Sequence, residues 1–192
     1  IEKEESENRN VTREEDDLDD IDTATVYIDS EEERRNMSST VNYTLTGNIR
    51  LTSSNPWIPI SYSANFNGNG YTISGIKVTS SSGSAGFFST LSGSVSNVIL
   101  EGEVDVSSSL YVGGVAGALK SGGSISHVWN KMNVDGGSAN SVGGIVGYDS
   151  GSVVSCINEG YIEGGTNVGG IVGATYDDNL SYCINKGTVS GY

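Results

Sequence analysis

Short segments in which valine or isoleucine surrounds paired glycines recur along the second half of the chain. The clear copies are Val112–Gly117, Val142–Gly147 and Val168–Gly173, preceded by a weaker copy, Ala85–Thr90. Their central glycines are 28, 30 and 26 residues apart. Self-similarity at a period of this length is typical of a repeat protein. The pattern therefore predicts a solenoid of stacked strands.

Each repeat has a second half, in which apolar, polar and charged residues return at fixed positions. The predicted columns are Ile99, Trp129, Ile157 and Ile184; Val104, Val134, Ile162 and Val189; Asn130, Asn158 and Asn185; and Glu101, Lys131, Glu159 and Lys186. Stacked parallel strands lie about 4.8 Å apart, so equal positions of successive coils touch. We expect the two aliphatic columns to fill the interior and the asparagines to bond along their column. The alternating charges favour the same register. The Gly-Gly pairs and the glycines at 102, 160 and 187 are expected to permit bends and positive φ angles.

For the segment before the repeats, the pattern predicts a strand and a helix instead of repeated coils. Residues 23–29 resemble a short strand, and Ser30 with Glu33 forms a capping box for a helix over about 31–39. We expect this short N-terminal helix to cap the open end of the solenoid. Apolar and polar residues alternate over residues 41–52, as in a strand. Trp57 is expected to fill the core near the start of the solenoid.

The fold class predicted is therefore all-β, a right-handed parallel β-helix with a short N-terminal capping helix. The domain division is an acidic disordered linker over residues 1–22 and a β-helix over residues 23–192, with the clear repeats at about 84–191. The chain begins at Ile1 and closes on a repeat without a polar cap, so we expect the solenoid to continue in a parent protein.

The charge of the chain is uneven. The net charge is −14, and residues 1–35 carry 15 acidic and 5 basic residues, which accounts for −10 of it. The body offers no basic patch, so nucleic acid is not expected as a partner. No apolar run approaches the roughly 20 residues of a membrane-spanning helix, so membrane insertion is not expected either.

Residues able to carry catalysis or bind metal are few. His127 is the single histidine of the chain, so the two-histidine motif His-Glu-x-x-His cannot be built, and a Ser-His-Asp triad would have to use His127. We expect it to be a turn histidine. Asp105, Asp135 and Glu163 share a column, where an exposed acidic edge, a weak cation site and a glycan-cleaving carboxylate pair are the alternatives. Cys156 and Cys183 occupy adjacent coils as a buried thiol ladder or a disulfide. We expect no enzyme activity, no metal and no cofactor.

The variable loops after the Gly-Gly strands hold the candidate ligand contacts. These are Tyr148, Asp149, Tyr176 and Asp177, which are expected on one flank of the solenoid. Exposed aromatic rings beside carboxylates could stack on sugars, although solvated loop residues are the simpler interpretation.

The motif Val142–Gly147 and the segment Cys156–Ile162 resemble the GLUG repeat of bacterial surface proteins. Tyr43–Leu51, Trp57–Ile60 and Phe66–Ile73 are similar to the start of such a β-helix, as found in the non-catalytic region of IgA-specific zinc metallopeptidases and in adhesin-like proteins. The resemblance covers about residues 41–191. It implies the fold more specifically than the function, because these repeats occur on protease and adhesin chains alike.

The sequence thus favours a non-catalytic, extracellular or cell-surface stalk or adhesin of a bacterial protein, with a host glycan or extracellular protein as its partner. A non-catalytic spacer or exosite region of an IgA-specific metalloprotease-like protein is the alternative, and a glycan-cleaving β-helix enzyme is a third.

Overall fold

A computed structural model describes residues 24–81, 83–107, 109–176 and 179–192 of the 192-residue chain. The predicted acidic linker over residues 1–22 lies outside these residues. The described chain is an all-β parallel solenoid of about five turns with almost no helix. The predicted parallel β-helix is confirmed, and its right-handed sense stays a prediction.

The regular elements are short, as expected where every coil turns several corners. In chain order they are β1 (Val26–Ile28), α1 (Glu31–Arg35), β2 (Tyr43–Leu45), β3 (Ile49–Arg50), β4 (Ile60–Tyr62), β5 (Asn65–Asn67), β6 (Thr72–Val78), β7 (Phe88–Leu91), β8 (Ser94–Ser96), β9 (Ile99–Asp105), β10 (Tyr111–Gly113), β11 (Ala116–Leu119), β12 (Ser124–Ser126), β13 (Trp129–Asn130), β14 (Asn133–Asp135), β15 (Ser141–Gly143), β16 (Val146–Asp149), β17 (Ser152–Val154), β18 (Ile157–Asn158), β19 (Ile162–Gly164), β20 (Asn167–Gly169), β21 (Val172–Thr175), β22 (Leu180–Ser181), β23 (Ile184–Asn185) and β24 (Val189–Gly191).

Four parallel sheets run along the solenoid axis. Sheet I has the order β1-β2-β5-β8-β12-β17-β22, sheet II β10-β15-β20, and sheet III β21-β16-β11-β7-β4. Sheet IV has nine strands, β23-β18-β13-β9-β14-β19-β24 with β3 and β6 joined to it through β9. Each coil contributes strands to the sheets in turn, so every strand pairs with its equivalent one coil away. This arrangement places repeat positions directly above one another.

The register of the predicted columns is confirmed. Trp129 pairs with Ile99 and with Ile157. Val134 pairs with Val104 and with Ile162. The period alone was enough to predict these contacts, because parallel strands of one sheet align at equal steps.

The direction of one column was predicted wrongly. Ile157 and its neighbour Asn158 are adjacent in a strand, so their side chains point to opposite faces. Asn158 is fully buried, while Ile157 is half-buried and Ile184 is 52% exposed. The column Ile99, Trp129, Ile157 and Ile184 therefore lies on the outer face of sheet IV, and Val98, Val128 and Cys156 fill the interior instead.

The paired glycines serve close packing rather than unusual backbone angles. Gly113, Gly143, Gly160 and Gly187 do not have positive φ, whereas Gly102 does, at 144°. A Cβ on Gly143 would lie 2.0 Å from the carbonyl oxygen of Val146, because sheets II and III approach there backbone to backbone. The repeated Val-Gly-Gly motif is therefore the sequence of a sharp, thin edge of the solenoid.

Residues at one corner carry the positive φ angles instead. Asn97, His127, Ser155 and Tyr182 all have φ between 53° and 55°, and they occupy equivalent positions before the strands of sheet IV. Asparagine tolerates this left-handed conformation best among these residues. His127 is exposed at this corner, as expected for a turn histidine.

The helix α1 is shorter than predicted and carries a buried cation. It spans Glu31–Arg35, with Ser30 as the N-cap that accepts a hydrogen bond from the backbone N–H of Glu33. The Arg34 guanidinium lies 3.9 Å from the ring centre of Trp57 and 4.1 Å from that of Phe87. Burial lowers the pKa of Arg34 to about 9. That α1 serves as the cap of the solenoid stays a prediction.

Candidate functional site

The predicted ligand-binding flank is built on sheets II and III. Tyr148 lies in β16 and Tyr111 in β10 of the preceding coil, and their rings stack with centres 4.8 Å apart at an interplanar angle of 23°. Both rings are half-buried. The thin Gly-Gly edge brings β10 and β16 close enough for this contact, so the two tyrosines form one aromatic platform on the outside of the coil.

Tyr176 follows β21 in the next coil, two residues beyond the register position of Tyr148. Tyr148 pairs with Ala174, while the backbone N–H of Tyr176 donates to the carbonyl of Asp149 at 2.8 Å. Its side chain is 78% exposed. The structure thus places a free-standing ring one coil along from the stacked pair. Asp177, the fourth predicted contact, lies outside the described residues.

The prediction that Asp149 is an exposed ligand contact is wrong. Its side chain is fully buried, and Oδ1 accepts a hydrogen bond of 2.8 Å from the backbone N–H of Gly151. This is an Asx turn, in which the carboxylate closes the loop between β16 and β17. Asp135 does the same for Gly137 at 2.9 Å. The spacing Asp-x-Gly was the signal for both turns.

The acidic column keeps its predicted register. Asp135 pairs with Asp105 on one side and with Glu163 on the other. The Tyr192 hydroxyl donates to Asp135 Oδ1 at 3.3 Å. Among the residues that the structure describes, no group of three or more His, Cys, Asp or Glu side chains is arranged to hold a metal ion.

The interior asparagines form the predicted ladder. Asn130 Nδ2 donates to Asn158 Oδ1 at 2.9 Å, and Asn158 Nδ2 donates to Asn185 Oδ1 at 2.8 Å. Each Nδ2 also donates to the carbonyl two residues further on, which for Asn158 is that of Gly160 at 3.1 Å. Because both ends of each amide are used, the ladder is a structural element rather than a binding site.

The cysteines are free thiols in adjacent coils. Cys156 is fully buried, and its backbone N–H lies 3.4 Å from Cys183 Sγ. Burial raises the pKa of the Cys156 thiol to about 12. A neutral thiol in an apolar interior is a poor nucleophile and a poor metal ligand, so Cys156 serves in packing.

The outer face of sheet IV is a surface that sequence reasoning missed. The half-buried side chains of Ile99, Trp129 and Ile157 line a groove of about 330 Å³ beside the corner residues Asn97 and His127. The Lys131 ammonium lies 4.3 Å from the ring centre of Trp129. The signal was available, since three apolar residues in a row, Val98–Leu100, cannot all face inward in a strand.

Comparison of the chain with protein-family models, with curated proteins and with solved structures finds no match in any of the three. Within the described part of the chain, no helix has the length and apolar character needed to cross a membrane.

Proposed function

We propose that the protein is a non-catalytic, extracellular stalk or adhesin module that binds a host glycan or protein through its tyrosine-bearing flank. The resemblance of its repeats to the GLUG repeats of bacterial surface proteins supports this function. In this proposal the solenoid is right-handed and α1 caps its first coil, so that the remaining coils form a stiff rod.

The stacked pair of Tyr111 and Tyr148 is the observation that carries the proposal. Stacking holds both rings in place, so the two tyrosine side chains lose little further conformational freedom when a ligand binds to them. A tyrosine ring offers an apolar face to the C–H face of a sugar and a hydroxyl to its polar rim. The exposed Tyr176 extends this aromatic surface by one coil.

The coil stack supports the stalk function. Successive coils are joined by parallel backbone pairing in four sheets and by the buried asparagine ladder. The ion pairs Lys131–Glu101, at 3.4 Å, and Lys186–Glu159, at 3.3 Å, add contacts between coils on the outside. The backbone pairing and these side-chain contacts together resist the separation of neighbouring coils.

The test is an array of host glycans and matrix proteins probed with the full chain, with and without calcium. We expect saturable binding that Tyr148→Ala or Tyr176→Ala weakens at least about tenfold, equal to about 1.4 kcal/mol. Tyr161→Ala is the matched control, because Tyr161 is 39% exposed but lies next to sheet IV. Binding unaffected by the flank variants would refute this site, and an absence of binding to every probe would refute the adhesive function.

A further inference from the structure

The outer face of sheet IV carries a column of apolar side chains, whose contact with water is unfavourable. Ile99, Trp129 and Ile157 are half-buried, and Ile184 is 52% exposed. They stack at about 4.8 Å per coil. A contiguous apolar column on an outer face typically marks a contact surface.

A column of charges lies beside this apolar column, two residues further along each strand and on the same face. Its members, in coil order, are Glu101, Lys131, Glu159 and Lys186, so the charge alternates in sign. Their side chains are between 32% and 53% exposed. They are therefore paired within the rod and still available to a partner.

The column of alternating charges is complementary to a second copy of itself in which the order of the coils is inverted. If two copies meet face to face about a two-fold axis along the strands, the coil order of one is inverted against the other. Lys131 of each copy then lies opposite Glu159 of the other, and Glu101 lies opposite Lys186. In a parallel pair that brought the two charged columns together, like charges would face each other, which costs several kcal/mol.

The shape of the face agrees with the same arrangement. On the other side of the apolar column, the corner residues run from Asn97 to Tyr182, whose ring is 86% exposed. The groove beside this corner runs over several coils, from Gly70 and Asn97 to Ser155 and Ile157. Inverting one copy sets the protruding Tyr182 opposite the coil of Asn97, which is part of the groove.

We propose that the outer face of sheet IV is a self-association surface, on which a second copy of this chain binds in antiparallel orientation. The apolar columns meet in the centre, and the charged columns pair along one side. Four coils give a small contact, well below the roughly 800 Å² per partner of a standard interface. We therefore expect a weak dimer, with a dissociation constant between about 10 μM and 1 mM. The proposal is independent of the ligand-binding function of the tyrosine flank.

Sedimentation equilibrium of the full chain over this concentration range tests the surface. In the dimer, Lys131→Glu places a carboxylate at position 131 of each copy opposite Glu159 of the other. Glu159→Lys likewise places an ammonium group at position 159 of each copy opposite Lys131 of the other. Each variant alone is expected to associate at least about tenfold more weakly than the parent protein. Tyr182→Ala is expected to weaken association as well. Lys120→Glu is the matched control, because Lys120 is exposed on another side of the coil.

Mixing the two charge variants gives the sharper test. In a mixed antiparallel pair, Glu at 131 of one copy faces Lys at 159 of the other, and Glu159 faces Lys131. An equimolar mixture is therefore expected to recover affinity to within about threefold of the parent protein, whereas each variant alone stays weak. Circular dichroism of each variant verifies the fold. The proposal is overturned if the parent protein is monomeric at about 1 mM, if the variants associate like the parent, or if mixing restores nothing.

Discussion

A Cβ atom on Gly144 would lie 2.5 Å from the Cγ atom of Asn158 and 2.2 Å from the carbonyl oxygen of Gly170. The second glycine of the Val-Gly-Gly motif thus makes room both for the asparagine ladder and for the next coil. Gly114 stands in the same relation to Asn130, at 2.8 Å. The two halves of each repeat depend on each other for this reason.

Gly144→Ala is expected to destabilise the protein by about 3 kcal/mol or more, because a backbone carbonyl of the next coil must move. Gly83→Ala is the control, since nothing lies within 4 Å of the added Cβ and its φ is not positive. Urea unfolding of both variants measures the difference. Equal stability of the two would contradict the close backbone packing described for this edge.

Asn158→Ala removes the central member of the ladder and its bonds to Asn130 and Asn185. We expect a loss of about 2 to 4 kcal/mol, because these two hydrogen bonds and the bond to the Gly160 carbonyl disappear and a small cavity forms. Asn185→Ala is the matched variant at the exposed end of the same ladder and should cost about 1 kcal/mol. Chemical denaturation checks the order, and a larger loss for Asn185→Ala would refute the buried ladder as the dominant element.

Ile157→Asp and Ile162→Asp test the directions of two columns in one coil. Ile162 is fully buried, so a carboxylate there should prevent folding or cost several kcal/mol. Ile157 lies on the outer face, and its replacement should cost about 1 kcal/mol or less. Thermal melting at concentrations well below the proposed dissociation constant of the dimer measures both. A severe loss at Ile157 would contradict the outward direction of its column.

Arg34→Met should leave the protein as stable as the parent, or more so, at pH 7, because a buried cation is replaced by an apolar side chain of similar length. The pKa of Arg34 falls to about 9 in the folded state from 12.5. The folded state thus binds the Arg34 proton more weakly than the unfolded chain does. The free-energy cost of burying the charged guanidinium is therefore fully present below pH 9. Stability of the parent relative to Arg34→Met should therefore rise from pH 8 to pH 10. Urea unfolding at both values checks the sign, and a difference independent of pH would contradict it.

Thiol labelling should distinguish the two cysteines. Cys156 is fully buried, and its pKa is raised to about 12, so it stays a neutral thiol at pH 8. Cys183 is only partly buried. Iodoacetamide is therefore expected to modify Cys183 in the folded protein and both cysteines in denaturant, as mass spectrometry of the peptides would show. Fast modification of Cys156 in the folded protein would contradict its burial.

The period of the repeats was sufficient to predict the fold and the register, because equal positions in stacked parallel strands must meet. The face of each column depends on a finer signal. Trp129 and Asn130 were both assigned to the interior, although neighbours in a strand face opposite sides. The apolar run Val98–Leu100 requires at least one side chain to face outward but does not show which one, and a slip of one position exchanges the two faces.

The candidate site was only partly predictable for a different reason. Tyr148 and Tyr176 were singled out as loop aromatics, and the structure places both on the outside. The partner of Tyr148 could not be found from its column, because Tyr111 belongs to the preceding coil and its register partner in the coil of Tyr148 is Ser141. The Arg34 contact with Trp57 and Phe87 likewise joins segments that share no period.

The asparagines of the interior ladder occupy the same register position in successive coils, and this regularity has an evolutionary consequence. Removing the 28 residues from Trp129 to Cys156 would join Val128 to Ile157. Asn158 would then follow Leu100 and Asn185 would follow Asn158, so the interior column would stay continuous, while Glu101 would come to lie next to Glu159 on the outside. Recombination between copies of the repeat can therefore lengthen or shorten the gene in whole coils without disturbing the fold. Each event would change the reach of the molecule by about 4.8 Å, so its length is a trait that selection can adjust in steps.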